Sequence, residues 1–428
     1  MGAINKELHR FWGYVVEGKG FRKGLKELVL CIPRLWFRIW EEVDRAVGIL
    51  AREILKRRTP IIKNKVFFHT QESTYCCNPK YICEELRGRE SDIDIVWRVP
   101  ANGKECGVPK DVRVARLNSF AYFKEIYSAH IIVTNSFLYL GAPIYLKKGQ
   151  ILIQTWHGSL GIKRFGKDDI KDSRRRIKAL NRTGAMTDYC IINSELENHS
   201  LSDTFWPKTP KLLYGHPRND LFFPSKKQVR DEISKELYAE WELDPETKIL
   251  MYGPTFRDDK NFDCYGMDIE RVLIALEHRF GGTWCCIERF HPSLRKIYEK
   301  RRRTDQTSTH RIIDGTKYLD MQELIAISDI AITDYSSWIF DFMLMRKPGF
   351  IFATDIEKYN TERGFYYPIE TTPFPIARNN QELEANILSF DFECYCNRVE
   401  AFLEEKGCIE DGHASERVAA LIQSIIDS

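Results

Sequence analysis

Residues 330–345 read Ile-Ala-Ile-Thr-Asp-Tyr-Ser-Ser-Trp-Ile-Phe-Asp-Phe-Met-Leu-Met, a segment whose pattern indicates the fold class. It opens with a short apolar run, Ile330–Thr333, which is typical of a buried strand. A polar turn over residues 334–337 follows, and the apolar pattern of Trp338–Met345 then predicts a helix. A strand that passes through a short polar turn into a helix is the repeating unit of a parallel α/β sheet.

Apolar runs and helical patterns alternate in the same way on both sides of that stretch, from residue 60 onward. The first series of predicted strands comprises Lys65–His69, Ile93–Val99, Ile131–Asn135, Ile151–Trp156 and Tyr189–Asn193. The second series comprises Lys211–Tyr214, Ile249–Tyr252, Thr283–Glu288, Ile330–Thr333 and Gly349–Phe352. Helical patterns lie between them at Gln228–Trp241, Asp268–Phe280 and Met321–Ser328. The predicted fold class is therefore α/β, with two Rossmann-like, doubly wound domains that face a cleft.

The predicted domain organisation has four parts. Residues 1–58 form a basic amphipathic helical segment, and residues 59–214 form the first Rossmann-like domain. Residues 215–395 form the second, so that the boundary falls near residues 205–225. Residues 396–428 are expected to form helices that pack back on the body.

The formal net charge of +3 is unevenly distributed along the 428 residues. Residues 1–58 hold 13 Lys/Arg and 7 Asp/Glu, whereas the rest of the chain holds 51 and 54. The slightly acidic body argues against nucleic acid as a partner, because a phosphate backbone is bound by a basic surface. The sequence also contains no CxxC pair, no GxGxxG and no GxxxxGK[ST] motif. A structural zinc site, a dinucleotide fingerprint and a P-loop therefore have little support.

Large apolar residues recur at helical spacing in the N-terminal segment, at Trp36, Trp40, Val43, Val47, Leu50 and Ile54. Arg38, Arg45 and Arg52 lie on a different face of this pattern, which has no uncharged apolar stretch of the roughly 18 residues that a membrane span needs. One interpretation is a helix lying in the headgroup layer of an anionic membrane. The other is a helical hairpin packed on the body by its apolar stripe. The basic excess and the two tryptophans favour the first.

A histidine, His157, follows the strand Ile151–Trp156 and precedes a glycine and a basic loop that contains Ser159 and Lys163. Histidine suits general-base catalysis near neutral pH, because its ordinary pKa lies close to that range. A purely structural histidine is the alternative. His216 is interpreted as structural.

Cationic and hydrogen-bond-donating side chains also follow the strands of the second series, at Arg257, Arg289 and His291. Ser336 and Ser337 stand at a predicted helix start, where hydroxyls and free backbone N–H groups can bind an anion. Simple N-capping is the alternative role for the serines. Since the carboxyl ends of parallel strands meet at one edge, these groups together predict a diphosphate site.

Five short motifs occur in order along the chain, and together they resemble one known family. They are Trp156-His157-Gly158, Gly215-x-Pro217-Arg218-x-Asp220, Pro254-Thr255-Phe256-Arg257, Arg289-x-His291-Pro292 and Thr333-Asp334-Tyr335-Ser336-Ser337. Over residues 130–395 the chain resembles the CDP-glycerol glycerophosphotransferases, which include wall teichoic acid primases and polymerases and related capsule polymerases. The loop over residues 159–163 is one residue longer than the Thr-Pro-Leu-Lys form of teichoic acid enzymes, so the acceptor side is expected to differ.

The resemblance implies a GT-B fold, often with the last helix crossing back to the first domain. It also implies transfer of glycerol phosphate or ribitol phosphate from a CDP-polyol to a lipid-linked acceptor, with release of CMP. The family's two essential histidines fall on His157 and His291. Its members work at the cytoplasmic face of the bacterial membrane as peripheral proteins, in the synthesis of teichoic acid or capsular polymers.

With that resemblance, each candidate residue receives a predicted role. His157 and His291 are catalytic, with His157 as the general base. The donor diphosphate is bound by Arg257, Ser336, Ser337 and Arg289. Asp334 and Asp341 are candidates for orienting the donor's hydroxyls, and a buried structural role in helix capping is the alternative for Asp341. Ser159 and Lys163 lie on the acceptor side. Because positive side chains can neutralise the diphosphate, no metal or other cofactor is expected.

Two rival functions stay open. One keeps the fold and changes the donor to a UDP- or GDP-sugar, which would make the protein a glycosyltransferase. The other is a non-catalytic scaffold at the membrane surface. The polar residues at 157, 257, 291 and 336 argue against the scaffold. Glycerol or ribitol, single addition or polymerisation, the final polymer and the oligomeric state also stay open.

Overall fold

The structure is a computed structural model that describes residues 50–71, 74–89, 92–103, 106–138, 144–168, 174–257, 265–290 and 311–428. The chain divides into two units, Met1–Pro60 and Ile61–Ser428. In the first unit a helix covers residues 50–58, and its Leu50 and Ile54 side chains are 62% and 46% exposed. The remainder of the predicted amphipathic segment lies outside the described residues. Within the described part of the chain, no helix is long and apolar enough to cross a membrane.

The second unit contains two parallel sheets. The first has seven strands, namely β1 (Ile62–His69), β2 (Asp94–Val99), β3 (Arg113–Arg116), β4 (Ala129–Thr134), β5 (Ile151–Gln154), β6 (Tyr189–Ile192) and β7 (Lys211–Leu213). Their order across the sheet is β3-β2-β1-β4-β5-β6-β7, and every pair is parallel. The order reverses direction at β1 and β4, so the ends of β4 and β5 lie beside a topological switch point.

The second sheet has six strands, namely β8 (Lys248–Tyr252), β9 (Trp284–Glu288), β10 (Ile312–Asp314), β11 (Ile330–Thr333), β12 (Gly349–Phe352) and β13 (Ile376–Ala377). Their order is β10-β9-β8-β11-β12-β13, again with parallel pairs throughout. Here the reversal falls between β8 and β11. The predicted α/β class with two doubly wound sheets is confirmed.

Helices flank both sheets. In chain order they are α1 (Cys77–Gly88), α2 (Phe120–Ser128), α3 (Arg174–Gly184), α4 (Glu195–Thr204), α5 (Lys227–Glu240), α6 (Ile269–Phe280), α7 (Met321–Ile327), α8 (Trp338–Phe342), α9 (Ile356–Arg363), α10 (Asn380–Leu388), α11 (Phe392–Glu405) and α12 (Ala414–Asp427). The predicted helix Trp338–Met345 is shorter than expected, because its last turn, Met343–Met345, is a 3-10 helix.

The sequence-based strand assignments differ from the structure at the sheet edges. The outer strands β3, β10 and β13 were not predicted, because each is short and at least partly exposed and so lacks a continuous apolar run. Lys211–Tyr214 was placed in the second series, but β7 pairs with β6 and closes the first sheet.

The C-terminal helices pack on different sheets. Tyr395, Val399 and Phe402 of α11 belong to the apolar core of the second sheet. Val418 and Ile422 of α12 are fully buried in the core of the first sheet. The last helix therefore lies against the first sheet, although it follows the second in the sequence.

Candidate active site

The His157 turn directly follows β5. Trp156 has a φ of +49°, a left-handed conformation that residues other than glycine seldom adopt. The Gln154 side chain accepts a hydrogen bond from the Trp156 backbone N–H at 2.8 Å. The indole ring packs against Phe137 and Trp206 in a buried aromatic cluster. The turn that precedes His157 is thereby held in one conformation, and His157 itself is exposed.

The neighbouring strand determines the tautomer of His157. Its Nδ1 lies 2.6 Å from the carbonyl oxygen of Asn135, the first residue after β4. A carbonyl can only accept, so Nδ1 carries a hydrogen, and in the neutral imidazole the lone pair is therefore on Nε2. This is the arrangement that a general base requires.

Arg257 follows β8 and lies in a box of acidic and aromatic side chains. Its guanidinium pairs with Asp334 at 2.9 Å and with Asp355 at 2.9 and 3.0 Å. It also lies over the rings of Tyr335 and Tyr359, at 5.0 and 4.8 Å from their centroids. Only 8% of Arg257 is exposed. The geometry therefore argues against direct contact between this arginine and a diphosphate.

Asp334 belongs to the same cluster. Besides the pair with Arg257, its Oδ1 accepts from the Thr255 backbone N–H at 2.8 Å and from that of Tyr335 at 2.5 Å. These bonds hold the turns after β8 and β11 together. Asp334 is 4% exposed, so the structure gives it a place in the framework of the site. Its predicted role in orienting the donor stays a prediction.

Ser336 and Ser337 occupy the predicted position before α8. Ser337 is the N-cap residue, yet its side chain makes no capping hydrogen bond. Among the residues that the structure describes, neither serine hydroxyl has a hydrogen-bond partner. The Ser337 side chain therefore does not cap α8, and the described residues do not occupy either hydroxyl.

The loop after His157 contacts the second domain directly. A Cβ built on Gly161 would lie 2.8 Å from Cβ of Ser337, so only glycine fits at this point. Further along, Lys163 and Phe365 form an antiparallel bridge, and the Tyr366 N–H donates to the Ile162 carbonyl at 2.7 Å. The histidine loop and the serine turn therefore lie in one continuous seam between the two sheets.

Lys163 lies in this seam. Over the described part of the chain, its ammonium makes no hydrogen bond and no salt bridge. Burial lowers the pKa of Lys163 to about 8, although the Asp334 carboxylate acts in the opposite direction. An anion that binds nearby would stabilise the charged form of such an ammonium. Lys163 was predicted on the acceptor side, and its backbone bridge to Phe365 also joins it to the second domain.

The remaining predicted residues lie in other surroundings. Arg289 donates from Nη1 to the carbonyls of Gly315 and Tyr318 at 2.7 and 2.8 Å, which holds the loop after β10. The Ser159 hydroxyl accepts from the Asn193 amide at 3.1 Å. The second predicted catalytic residue, His291, lies outside the described residues. The roles of Arg289, Ser159 and His291 stay predictions.

Asp341 is the clearest departure from expectation. It is 1% exposed, and its carboxylate accepts from Arg218, Asn219 and Gln322 at 2.9–3.2 Å. A carboxylate buried in this way does not face a donor molecule. The geometry therefore argues against the predicted donor-orienting role and favours the buried structural role that was its alternative.

A buried polar network adjoins the seam, and no sequence pattern predicted it. Glu410 accepts from the side-chain amides of Asn193 and Asn219 at 3.0 and 2.7 Å. Burial raises the pKa of Glu410 to about 7. His216 lies in the same network, with Nε2 2.9 Å from Glu197. Burial opposes its charge, but Glu197 outweighs that effect and the pKa of His216 is raised. This placement agrees with a structural His216.

In the described ranges, no group of three or more His, Cys, Asp or Glu side chains is arranged to hold a metal ion. Among the described residues, the candidate site brings together one histidine, two serine hydroxyls and one lysine at a seam between two doubly wound sheets. General-base catalysis and anion binding are the chemistry that such a set can perform.

Comparison with known proteins identifies the family. The family model described as CDP-glycerol:poly(glycerophosphate) glycerophosphotransferase matches residues 52–424. The chain belongs to this family, as the five motifs predicted. The match also extends beyond residues 130–395 at both ends.

Individual relatives agree with this assignment. A teichoic acid poly(glycerol phosphate) polymerase from Staphylococcus epidermidis is 29% identical over 85% of this chain, which spans only 51% of that relative. A teichoic acid ribitol-phosphate primase from Bacillus spizizenii is 31% identical, with 67% of this chain and 73% of the relative covered. The chain thus spans about half the length of the first relative and most of the second.

A solved structure of the wall teichoic acid polymerase TagF, a variant soaked with CDPG, superposes on the chain with a TM-score of 0.76. The two are 26% identical, and the match covers 92% of this chain and 97% of the other. The GT-B fold that the resemblance implied is confirmed.

Proposed function

We propose that the protein transfers a polyol phosphate, glycerol phosphate or ribitol phosphate, from a CDP-polyol to a hydroxyl of a lipid-linked acceptor. The transfer would contribute to a teichoic-acid-like or capsular polymer. Family membership supports the donor class, and relatives named for glycerol phosphate and for ribitol phosphate leave the polyol open.

The seam between the two sheets is the observation that carries this proposal. On one side stands His157, whose Nε2 carries the lone pair because Nδ1 is bonded to Asn135. On the other side stand Ser336 and Ser337, whose hydroxyls have no hydrogen-bond partner among the described residues. Lys163 lies in the same seam, and within the described ranges its ammonium makes no hydrogen bond or salt bridge. A base that faces a set of anion-binding groups is what phosphoryl transfer to a hydroxyl requires.

In the proposed mechanism, Ser336, Ser337 and Lys163 hold the donor's diphosphate. The acceptor hydroxyl loses its proton to Nε2 of His157 as its oxygen attacks the phosphorus that bears the polyol. The bond from that phosphorus to the bridging oxygen breaks, and CMP leaves with the electron pair. Charge neutralisation by the lysine and the hydroxyls stabilises the developing negative charge. The mechanism uses no metal or other cofactor.

Donor specificity is the experiment that tests the proposal. The full chain is incubated with a lipid-linked acceptor and with CDP-glycerol, CDP-ribitol, UDP-glucose or GDP-mannose in separate reactions. We expect release of CMP from one CDP-polyol or both, and no UDP or GDP. Release of UDP or GDP alone would make the protein a glycosyltransferase. If no donor is consumed while the protein still binds vesicles, the scaffold is favoured.

Replacement of His157 tests the mechanism within the same assay. For His157→Gln we expect turnover to fall about a hundredfold or more, the usual scale for loss of a general base, with an unchanged unfolding transition. His130→Gln is the matched control, because His130 is another partly exposed histidine whose Nδ1 faces a backbone carbonyl, that of Lys63. Near-normal turnover in the folded His157→Gln protein would show that another group takes the proton.

We further propose that the protein works as a peripheral protein on the cytoplasmic face of the bacterial membrane. The basic excess of residues 1–58 and the exposed Leu50 and Ile54 support binding to an anionic surface. Cosedimentation with phosphatidylglycerol vesicles, with and without residues 1–58, tests this. We expect the truncated protein to stay in the supernatant while it still binds the donor.

A further inference from the structure

The motif Gly215-x-Pro217-Arg218-x-Asp220 has no role in the reaction just described. Its residues lie at the connection between the two sheets, where a 3-10 helix over Pro217–Phe222 follows β7. Arg218 is only 4% exposed, and its contacts extend to both domains. A buried arginine between two domains needs partners for its charge and for its five N–H groups.

On the side of the first domain, Arg218 holds the histidine turn. Its Nη2 donates to the carbonyl oxygen of Gly158 at 2.5 Å, and its backbone N–H donates to the Asn78 side chain at 3.1 Å. Asn78 in turn donates to the carbonyls of Thr155 and Trp156 at 2.9 and 3.2 Å. The backbone is therefore held on both sides of His157.

The turn requires such support because Trp156 is in the left-handed region. A bulky residue keeps that conformation only where the surrounding contacts determine it. If the bond to the Gly158 carbonyl were lost, the turn could relax, and the hydrogen bond from His157 to Asn135 would relax with it.

On the side of the second domain, Arg218 is tied to the helix after the serine turn. Its Nε and Nη2 lie 3.0 and 2.9 Å from Oδ2 of Asp341. Asp341 belongs to α8, which begins directly after Ser337. The Arg218 guanidinium therefore connects the Gly158 carbonyl, next to His157, with helix α8, which follows the two serines.

We propose that Arg218 is a positioning residue, which sets the separation of His157 from the donor phosphate by binding the Gly158 carbonyl and Asp341 together. This inference rests on the proposed function. Arg218 touches neither donor nor acceptor in this role. A lysine could keep the charge beside Asp341, but it lacks the planar fork that reaches both partners.

The variant Arg218→Lys tests the proposal in the full chain. We expect kcat for CMP release to fall about a hundredfold, the scale of a displacement of about 1 Å at a reacting centre. The Kd of the CDP-polyol, measured by calorimetry without acceptor, should stay within about threefold because the donor-binding groups are untouched. Arg271→Lys is the matched control, since Arg271 pairs with Glu384 between α6 and α10 and does not contact the histidine turn.

A second variant covers the case in which Arg218→Lys does not fold. Asp341→Asn keeps the shape of the side chain and removes the charge that pairs with Arg218. It should also lower kcat while the donor Kd stays nearly unchanged. Where both single variants fold, kcat of the double variant should be no lower than that of the more impaired single variant, because both substitutions break the same connection. Unchanged kcat in a folded variant, or a donor Kd that weakens in proportion to kcat, would overturn the proposal.

A nuclear magnetic resonance measurement separates this proposal from the proposed function. In ¹⁵N-histidine-labelled protein, His157 should show the tautomer with hydrogen on Nδ1, and Arg218→Lys should reduce that preference. If the wild-type protein released CMP from no CDP-polyol, the proposed function would fail, whereas the tautomer comparison would still decide whether Arg218 holds His157. An unchanged tautomer in Arg218→Lys would count against the positioning role.

Discussion

Arg257 and Lys163 are two cations beside the same seam, and their surroundings are opposite. Arg257 is paired with two carboxylates and enclosed by aromatic rings. Lys163 has no hydrogen-bond or salt-bridge partner among the described residues, and burial lowers its pKa to about 8. Arg257 was predicted to bind the donor diphosphate, whereas Lys163 received only a place on the acceptor side.

A cation near a strand end is therefore not by itself a phosphate ligand. The charge of Arg257 is already used to hold the turns after β8 and β11 and the start of α9 together. Burial works to raise the pKa of Asp355, but its bonds from Arg257 outweigh burial and the pKa lies below its usual value. The ammonium of Lys163 has no hydrogen-bond or salt-bridge partner among the described residues. We therefore expect loss of Arg257 to affect stability and loss of Lys163 to affect donor binding.

The largest effect should come from Arg257→Met. Removal of one partner from a buried ion pair leaves Asp334 and Asp355 uncompensated, which costs about 3–5 kcal/mol of unfolding free energy. Urea denaturation measures this loss. Arg271→Met is the control, because its pair with Glu384 is about one-third exposed and contributes at most about 1 kcal/mol. Unchanged stability together with lost donor affinity would restore Arg257 as a diphosphate ligand.

Lys163→Gln should weaken donor binding and leave stability unchanged, the reverse of the effects expected for Arg257→Met. Loss of one charge-assisted contact with the diphosphate should weaken donor binding about tenfold, or about 1.4 kcal/mol. Stability should not decrease, because the lowered pKa shows that the folded protein disfavours this charge. Calorimetry with CDP-glycerol measures the first effect and urea denaturation the second. Lys148→Gln, at an exposed lysine of the first domain, is the control. Equal donor affinity in Lys163→Gln and the wild type would refute the assignment.

The pH dependence of donor binding should follow from the same lysine. Since the pKa of Lys163 is lowered to about 8, the free protein loses this charge as the pH rises from 7 to 9. Donor affinity should fall over that range, whereas the diphosphate diester has no proton to lose there. The decrease should approach the effect of Lys163→Gln without exceeding it, and it should be absent from that variant. A decrease of the same size in Lys163→Gln would point to a different titrating group.

The fold could be predicted from the sequence wherever apolar runs were long. The central strands β8 and β11 carry continuous apolar residues and were placed within a residue of their observed bounds. The edge strand β3, with an arginine at each end and one buried residue, had no such pattern. A strand at a sheet edge needs less apolar surface, because one of its sides has no neighbouring strand.

For the candidate site, the sequence could locate residues at strand ends but could not say what they contact. Arg257 and its partner Asp355 are 98 positions apart, and Arg218 and Asp341 are 123 apart. Pairings over such separations are set by the packing of the two sheets and leave no local pattern. The motif that contains Arg218 was noticed for its resemblance alone, and only its contacts indicate what it does.

The smallest expected effect concerns Ser337, and it decides between the two roles that the sequence left open. As an N-cap, Ser337→Ala would cost about 1 kcal/mol of stability and leave donor binding unchanged. The side chain makes no capping bond, so we expect unchanged stability and about threefold weaker donor binding, the effect of one neutral hydrogen bond. Ser389→Ala is the control, because the exposed Ser389 hydroxyl donates to the Ala385 carbonyl at the end of α10, away from the seam. A loss of stability with normal donor affinity would show that Ser337 caps α8. It would also show that Ser337 does not join Lys163 in binding the donor phosphate.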